Sequence, residues 1–215
     1  MVSNDLDLRE RAELCELFRR LGPDAPTLCE GWTTAHLAAH LSIRERDPRS
    51  GPGILFGGPF ESYTNKLLVA EMRRPYLEVV DRVGHVPMGP LRIPAVRAAI
   101  SLIEYTVHHE DVRRGNAMAP RADRLDLQQG LWKFLKRMSG LMILRARIKP
   151  ITLELVAGGM EPETIRHGNG DRMVRVLGEP LELVLFLYGR KLAAHVELTG
   201  STTDVALVRA ASFGI

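Results

Sequence analysis

Cysteine is scarce in this chain. Only Cys15 and Cys29 occur among its 215 residues, and they do not form a CxxC pair. This scarcity argues against a disulfide framework and favours a reducing compartment. Long apolar runs are missing too, since none approaches the ~18 to 20 residues that a membrane-spanning helix needs. The polar start at Ser3-Asn4-Asp5 does not resemble a signal peptide, so we expect a cytoplasmic protein that does not enter a membrane.

Neither sign of charge dominates. The 29 Lys and Arg residues are interspersed with 26 Asp and Glu residues, which leaves a formal net charge of +3. The longest basic runs are pairs such as Arg19-Arg20 and Arg73-Arg74. A nucleic-acid-binding surface gathers its basic residues on one face or stripe, so we expect no nucleic-acid partner.

The hydrophobic pattern changes near residue 150. Before it, apolar residues recur with helical spacing and predict helices over about 6–21, 33–47, 62–74, 75–83, 94–114 and 126–147. Such a series predicts an antiparallel bundle over residues 1–148. After it, residues 151–156, 173–177 and 193–198 alternate as strands do, and 179–188 is predicted to be a short helix. We therefore predict a mainly α protein with a small α+β domain over 149–215. The glycine- and proline-rich segment 48–60 is predicted to be a loop, either a lid or a linker.

Two separate stretches place metal-binding groups at helical spacing. His36 and His40 are four residues apart, and Glu104, His108 and Asp111 follow the same spacing further along the chain. Residues four apart share a helix face, so Glu104 and His108 can close on one ion while a histidine of the earlier helix supplies a third ligand. Three protein ligands leave a position open, as catalytic metal sites do. Spacing alone does not choose between His36 and His40.

The same residues also allow interpretations other than a metal site. The helix face that contains Glu104 and His108 could simply be a polar face exposed to solvent. His109 and Glu110 are predicted to face elsewhere. Asp111 is either a fourth ligand or, as we prefer, the acceptor for the second ring N–H of a metal-bound histidine. Cys29 could approach the site, but the simpler interpretation is a buried structural cysteine.

The segment Gly31-Trp32-Thr33-Thr34-Ala35-His36-Leu37-Ala38-Ala39-His40-Leu41, followed by Glu104-x3-His108-x2-Asp111, resembles the mycothiol-dependent maleylpyruvate isomerase family within the DinB-like metalloprotein superfamily. Residues 9–41 are also similar to a branch of actinobacterial proteins known only as metal-binding. The resemblance implies a DinB-like four-helix bundle over roughly the first 150 residues, with His40, Glu104 and His108 as ligands of a divalent metal.

The part after residue 150 resembles the small sterol-carrier-like C-terminal domain that accompanies these bundles. In the isomerase an arginine of that domain assists catalysis, and Arg190 is the candidate here. Together with Asp111, it completes the set of candidate catalytic residues.

The resemblance implies a transferase or isomerase in which the metal activates mycothiol, a low-molecular-weight thiol, toward a small-molecule electrophile. Zinc is the first choice for such a nitrogen and oxygen site, although nickel, manganese and iron also suit these ligands. Two other classes stay open. One is a metal-dependent hydrolase with Asp111 or Glu110 as general base. The other is a non-enzymatic partner- or lipid-binding module with a structural metal. We expect a monomer or a homodimer.

Overall fold

The computed structural model describes residues 5–47, 61–121 and 123–213, so the predicted loop over 48–60 lies outside the described residues. The described chain is mainly helical and carries one small sheet. No helix within these ranges is both long and apolar enough to cross a membrane. Besides a short 3-10 helix at Pro90–Arg92, its elements are α1 (Leu6–Leu21), α2 (Thr34–Arg46), α3 (Glu61–Met72), α4 (Tyr76–Gly84), α5 (Pro94–Gly115), α6 (Leu125–Ala146), β1 (Thr152–Ala157), β2 (Thr164–His167), β3 (Met173–Gly178), α7 (Pro180–Leu187), β4 (Glu197–Thr199) and α8 (Thr202–Ala210).

The helices predicted from hydrophobic spacing are present, and each begins and ends within two residues of its predicted bounds. Two elements were missed, the four-residue strand β2 and the C-terminal helix α8. Strand β2 lies at the edge of the sheet and has a half-exposed pattern, so its sequence carries little apolar signal. The strand predicted over 193–198 is shorter, because the N–H groups of Ala193 and Ala194 donate to the carbonyl oxygen of Arg190 and form a turn.

Residue contacts divide the chain into two compact units, one that ends at Ala119 and one that begins at Pro120. In the N-terminal unit, α1 packs on α4 and α5, and α2 packs on α3 and α4. Helical spacing puts the apolar residues of each helix on one side, and burial of these faces drives the packing. The buried core includes Leu14, Leu17, Phe18, Leu37, Leu41, Val79, Val80, Val83, Tyr105 and Val112.

The C-terminal unit contains a four-stranded sheet in the order β2-β1-β3-β4. The central strands β1 and β3 are parallel, and each edge strand is antiparallel to its neighbour. Helix α6 contacts α7 and β2, while α7 and α8 contact β3. The contacts therefore group α6 with the sheet, whereas the sequence analysis places it in the bundle. The predicted division into domains at 148–149 stays a prediction.

The loop between α1 and α2 is fastened to α5. The N–H of Leu28 donates to the carbonyl oxygen of Asp111 at 3.0 Å, and Nδ2 of Asn116 donates to the carbonyl oxygen of Pro26 at 2.9 Å. Gly115 permits this close approach, because a Cβ at that position would meet Cα of Thr27 at 2.8 Å. The loop thus brings the segment that contains Cys29 against the C-terminal turns of α5.

Candidate metal centre

Two histidines of different helices converge on one carboxylate oxygen. Nε2 of His40, on α2, lies 3.3 Å from Oε1 of Glu104, and Nε2 of His108 lies 3.4 Å from the same atom. Glu104 and His108 are one turn apart on α5 and therefore share a face. The three potential ligand atoms all lie within 4.8 Å of one another. Two nitrogen donors and one oxygen donor that lie this close together have the ligand composition of a catalytic divalent-metal site.

His36 lies elsewhere and has a different role. It is the third residue of α2, and its Nδ1 accepts a hydrogen bond from the N–H of Thr33 at 3.2 Å. A side chain that satisfies a free N–H at the start of a helix caps that helix. The structure therefore brings His40, and not His36, to Glu104. This is the choice that the family resemblance implies and that spacing left open.

Asp111 lies behind His108. Its Oδ2 is 2.9 Å from Nδ1 of His108, and its side chain is fully buried. Because Nδ1 and Nε2 are on opposite sides of the ring, this contact leaves Nε2 facing Glu104. The geometry fits an acceptor that orients the imidazole better than a fourth ligand to the same ion.

Cys29 is less buried than the sequence analysis expected. The residue is half-buried, and its Sγ lies 3.3 Å from Oδ2 of Asp111, where the thiol donates a hydrogen bond. Cys29, His108 and Asp111 also form a group whose potential ligand atoms lie within 4.8 Å of one another. The other cysteine, Cys15, is buried in the core, and its Sγ lies 3.7 Å from the carbonyl oxygen of Val80.

Arg44 is a site residue that the sequence analysis missed. It follows His40 by one turn on α2, and its Nε lies 2.9 Å from Oε1 of Glu104. The same oxygen is thus contacted by two imidazoles and a guanidinium. The i, i+4 step from His40 to Arg44 was a signal that could have placed it on this face.

The three converging groups influence one another's protonation. Burial alone would raise the pKa of Glu104, but hydrogen bonds from His108 and His40 and the charge of Arg44 hold it well below its usual range. Burial lowers the pKa of His40. Burial would lower the pKa of His108 as well, yet hydrogen bonds to Asp111, Cys29 and Glu104 raise it well above its usual value. In the metal-free protein we therefore expect a neutral His40 beside a His108–Glu104 ion pair.

His109 and Glu110 face away from this cluster, as predicted. Nδ1 of His109 lies 3.2 Å from Oε2 of the buried Glu10 on α1, and these two residues form a separate compact group with Glu13. The carboxylate of Glu110 is fully buried and accepts a hydrogen bond from Nε of Arg114 at 2.7 Å. Both residues serve contacts on other faces of α5.

The candidate catalytic arginine lies in the C-terminal unit. Arg190 follows α7, and its Nη1 donates to the carbonyl oxygen of Tyr188 at 2.7 Å. A catalytic role for Arg190 stays a prediction.

Comparison with known proteins shows the fold. The structure is similar to the crystal structure of a mycothiol-dependent maleylpyruvate isomerase, with a TM-score of 0.56, 14% sequence identity, and coverage of 91% of this chain and 92% of that chain. A mutant of that isomerase, in which one histidine is replaced by alanine, matches equally well. No protein-family model and no curated protein matches the sequence. At this level of identity the likeness concerns the fold alone.

Proposed function

We propose that this chain is a metal-dependent thiol transferase or isomerase, in which His40, Glu104 and His108 hold a divalent cation and mycothiol is the activated thiol. The observation that carries the proposal is the convergence of two imidazole nitrogens on Oε1 of Glu104 at 3.3 and 3.4 Å. Fold similarity to an enzyme named for its dependence on mycothiol supports the choice of thiol.

The donor set fits such a cation. Two neutral imidazoles and one carboxylate suit zinc, and they also accept nickel, manganese or iron. The side chains of His40, Glu104 and His108 are 10%, 16% and 12% exposed, so the cluster is largely buried but still accessible to solvent. When bound, a divalent cation with an open coordination position supplies a Lewis acid that lowers the pKa of a thiol toward neutrality.

The surrounding residues position this donor set. Asp111 fixes the ring orientation of His108 by its contact with Nδ1, and Cys29 donates to the same carboxylate oxygen. The indole of Trp32 packs against the ring of His40, with 5.2 Å between the ring centroids. Side chains that are already held in place lose little conformational entropy when a cation binds, so this preorganised arrangement favours binding.

The hydrolase alternative has less support. It requires a general base that can reach a water molecule, and Asp111 and Glu110 were the candidates. Both carboxylates are fully buried, and each is already hydrogen-bonded, Asp111 with His108 and Glu110 with Arg114. A thiol needs no such base once its pKa has been lowered, so the thiol reaction fits these surroundings better.

The first test is metal content. Protein purified without a histidine tag or chelator is analysed for metals before and after incubation with zinc, together with His40→Ala, Glu104→Ala and His108→Ala. We expect about one divalent ion per chain in the wild type and little in each variant, as for a three-ligand site. His36→Ala is the matched control, because it removes an imidazole from the same helix and should leave metal content unchanged. Full metal retention in all three ligand variants would rule out the site.

The second test concerns the reaction. Metal-loaded protein is mixed with mycothiol and a panel of electrophiles that includes maleylpyruvate, and both the loss of free thiol and the isomerisation of maleylpyruvate are followed. Metal-dependent turnover with mycothiol supports the proposal. Hydrolysis of a substrate without thiol would favour the hydrolase, and a loaded protein that is inert toward the whole panel would favour a binding module.

A further inference from the structure

Arg44 is the most solvent-exposed of the three side chains that contact Oε1 of Glu104. Its side chain is 23% exposed, compared with 10% for His40 and 12% for His108. The Arg44 side chain is therefore the part of the cluster that is most open to solvent. A molecule that enters beside the donor set is therefore within reach of Arg44.

Arg44 supplies positive charge to Glu104 through a 2.9 Å contact from Nε to Oε1. A guanidinium does not lose its proton at any ordinary pH. If a divalent cation shares that carboxylate oxygen, two fixed positive groups compete for it and repel each other. The contact between Arg44 and Glu104 must then weaken, and the donors of the guanidinium become available to another anion.

We propose that Arg44 determines substrate specificity: once the metal is bound, its guanidinium leaves Glu104 and binds an anionic group, such as a carboxylate, on the molecule that enters beside the metal. This inference rests on the proposed function, because it requires a loaded site. The cation, Glu104 and Arg44 together carry two positive charges, which a thiolate and a carboxylate would balance. The planar fork of a guanidinium matches a carboxylate by paired hydrogen bonds.

The helix that carries Arg44 is firmly held, as a recognition residue requires. The next residue, Glu45, accepts hydrogen bonds from both terminal nitrogens of the buried Arg11, at 2.7 and 2.5 Å. Ser101 of α5 donates to the same carboxylate at 3.2 Å. This network ties α2 to α1 and α5, so the backbone of Arg44 stays fixed while its side chain changes partner.

A different role would be purely structural, with Arg44 holding Glu104 in place for the metal. The two roles have opposite effects on metal affinity. If Arg44 competes with the metal, Arg44→Gln should tighten cobalt binding by roughly tenfold, a factor that corresponds to about 1.4 kcal/mol. If Arg44 only braces Glu104, the same substitution should weaken cobalt binding.

The decisive experiment measures anion recognition without turnover. Cobalt-loaded wild type, Arg44→Gln and Arg44→Lys are titrated with mercaptoacetate and with mercaptoethanol, and the cobalt absorption spectrum reports binding. The wild type should bind mercaptoacetate at least about tenfold more tightly, since a hydrogen bond to a charged group contributes about 1.5 to 3 kcal/mol. Arg44→Gln should lose this preference, and Arg44→Lys should keep part of it. Arg19→Gln, which removes a cation from α1, should behave as the wild type.

A further titration identifies which molecule carries the anion. Added acetate should strengthen mercaptoethanol binding in the wild type, but not in Arg44→Gln, if the carboxylate belongs to a separate electrophile. If acetate has no such effect while mercaptoacetate is preferred, the thiol carries it. A loaded protein with neither effect, or an Arg44→Gln variant that keeps them, overturns the role of Arg44 and leaves the proposed function standing. Failure to bind cobalt at all overturns both.

Discussion

Nδ1 of His108 lies 2.9 Å from Oδ2 of Asp111, one turn further along α5. A carboxylate in this position fixes the ring and increases the basicity of the opposite nitrogen. We expect Asp111→Asn to weaken metal affinity by roughly 10- to 100-fold, the range found when such supporting carboxylates are removed. Competition with a chromophoric chelator measures this change. Asp81→Asn, which alters an exposed carboxylate on α4, is the control, and equal affinities in both variants would refute the role of Asp111.

We expect His36 to contribute to stability and His40 to bind the metal. Because His36 caps α2, His36→Ala should lower the free energy of unfolding by about 0.5 to 2 kcal/mol, as the loss of an N-terminal cap does. Its metal content should not change. His40→Ala should lose the metal while helical circular dichroism is retained. Urea unfolding and elemental analysis of both variants check the prediction, which fails if the two phenotypes are exchanged.

Metal binding should release a proton. The pKa of His108 is raised well above its ordinary value of 6.5, so near neutral pH the metal-free ring is protonated and a cation must displace that proton. Below the raised pKa, metal affinity should therefore fall by about tenfold per pH unit, as one released proton requires.

Calorimetric titration with zinc in buffers of different ionisation enthalpy measures the number of protons released. A value near one at neutral pH is expected, and it should decrease above the raised pKa of His108. The stability of the metal-free protein depends on pH in the opposite direction to metal affinity. The stability that the protonated His108 ring contributes is fully present below pH 6.5 and is lost as the pH rises through the raised pKa of His108. Metal affinity that does not depend on pH over this range would contradict the ion pair between His108 and Glu104.

Breaking the buried ion pair between Arg11 and Glu45 should strongly destabilise the N-terminal unit. Their side chains are 2% and 10% exposed, and Arg11 also donates to the carbonyl oxygen of Val83 and stacks on Tyr105. Arg11→Ala leaves the Glu45 carboxylate without its main partner, so we expect a loss of about 3 to 5 kcal/mol in urea unfolding.

The double variant Arg11→Met with Glu45→Leu removes both charges and fills much of the space. It should recover most of the stability lost in Arg11→Ala, because replacing a buried pair by apolar groups is often neutral. Arg19→Ala, which breaks an exposed pair with Asp81, should cost no more than about 1 kcal/mol. A similar small loss for Arg11→Ala would show that burial does not make its pair important.

The spacing of residues along the sequence was sufficient to predict most helices and to place Glu104 and His108 together. The spacing of apolar residues predicted α1 over 6–21, and Glu104 and His108 share a face because four residues make about one turn. Spacing was insufficient for β2, whose short half-exposed sequence has no apolar alternation, and for the place of α6, which depends on contacts with α7 and β2.

The sequence by itself determined which side chains can share a helix face, since that follows from the rise and turn of a single helix. Tertiary structure decided the rest of the site. His36 and His40 are equivalent in spacing until one caps α2 and the other meets α5. Arg44 shares the face of His40 by its i, i+4 step, but only helix packing brings its guanidinium to Glu104. Cys29 reaches the cluster because the loop fastened to α5 brings distant parts of the chain together, and such long-range contacts leave no periodic signal in the sequence.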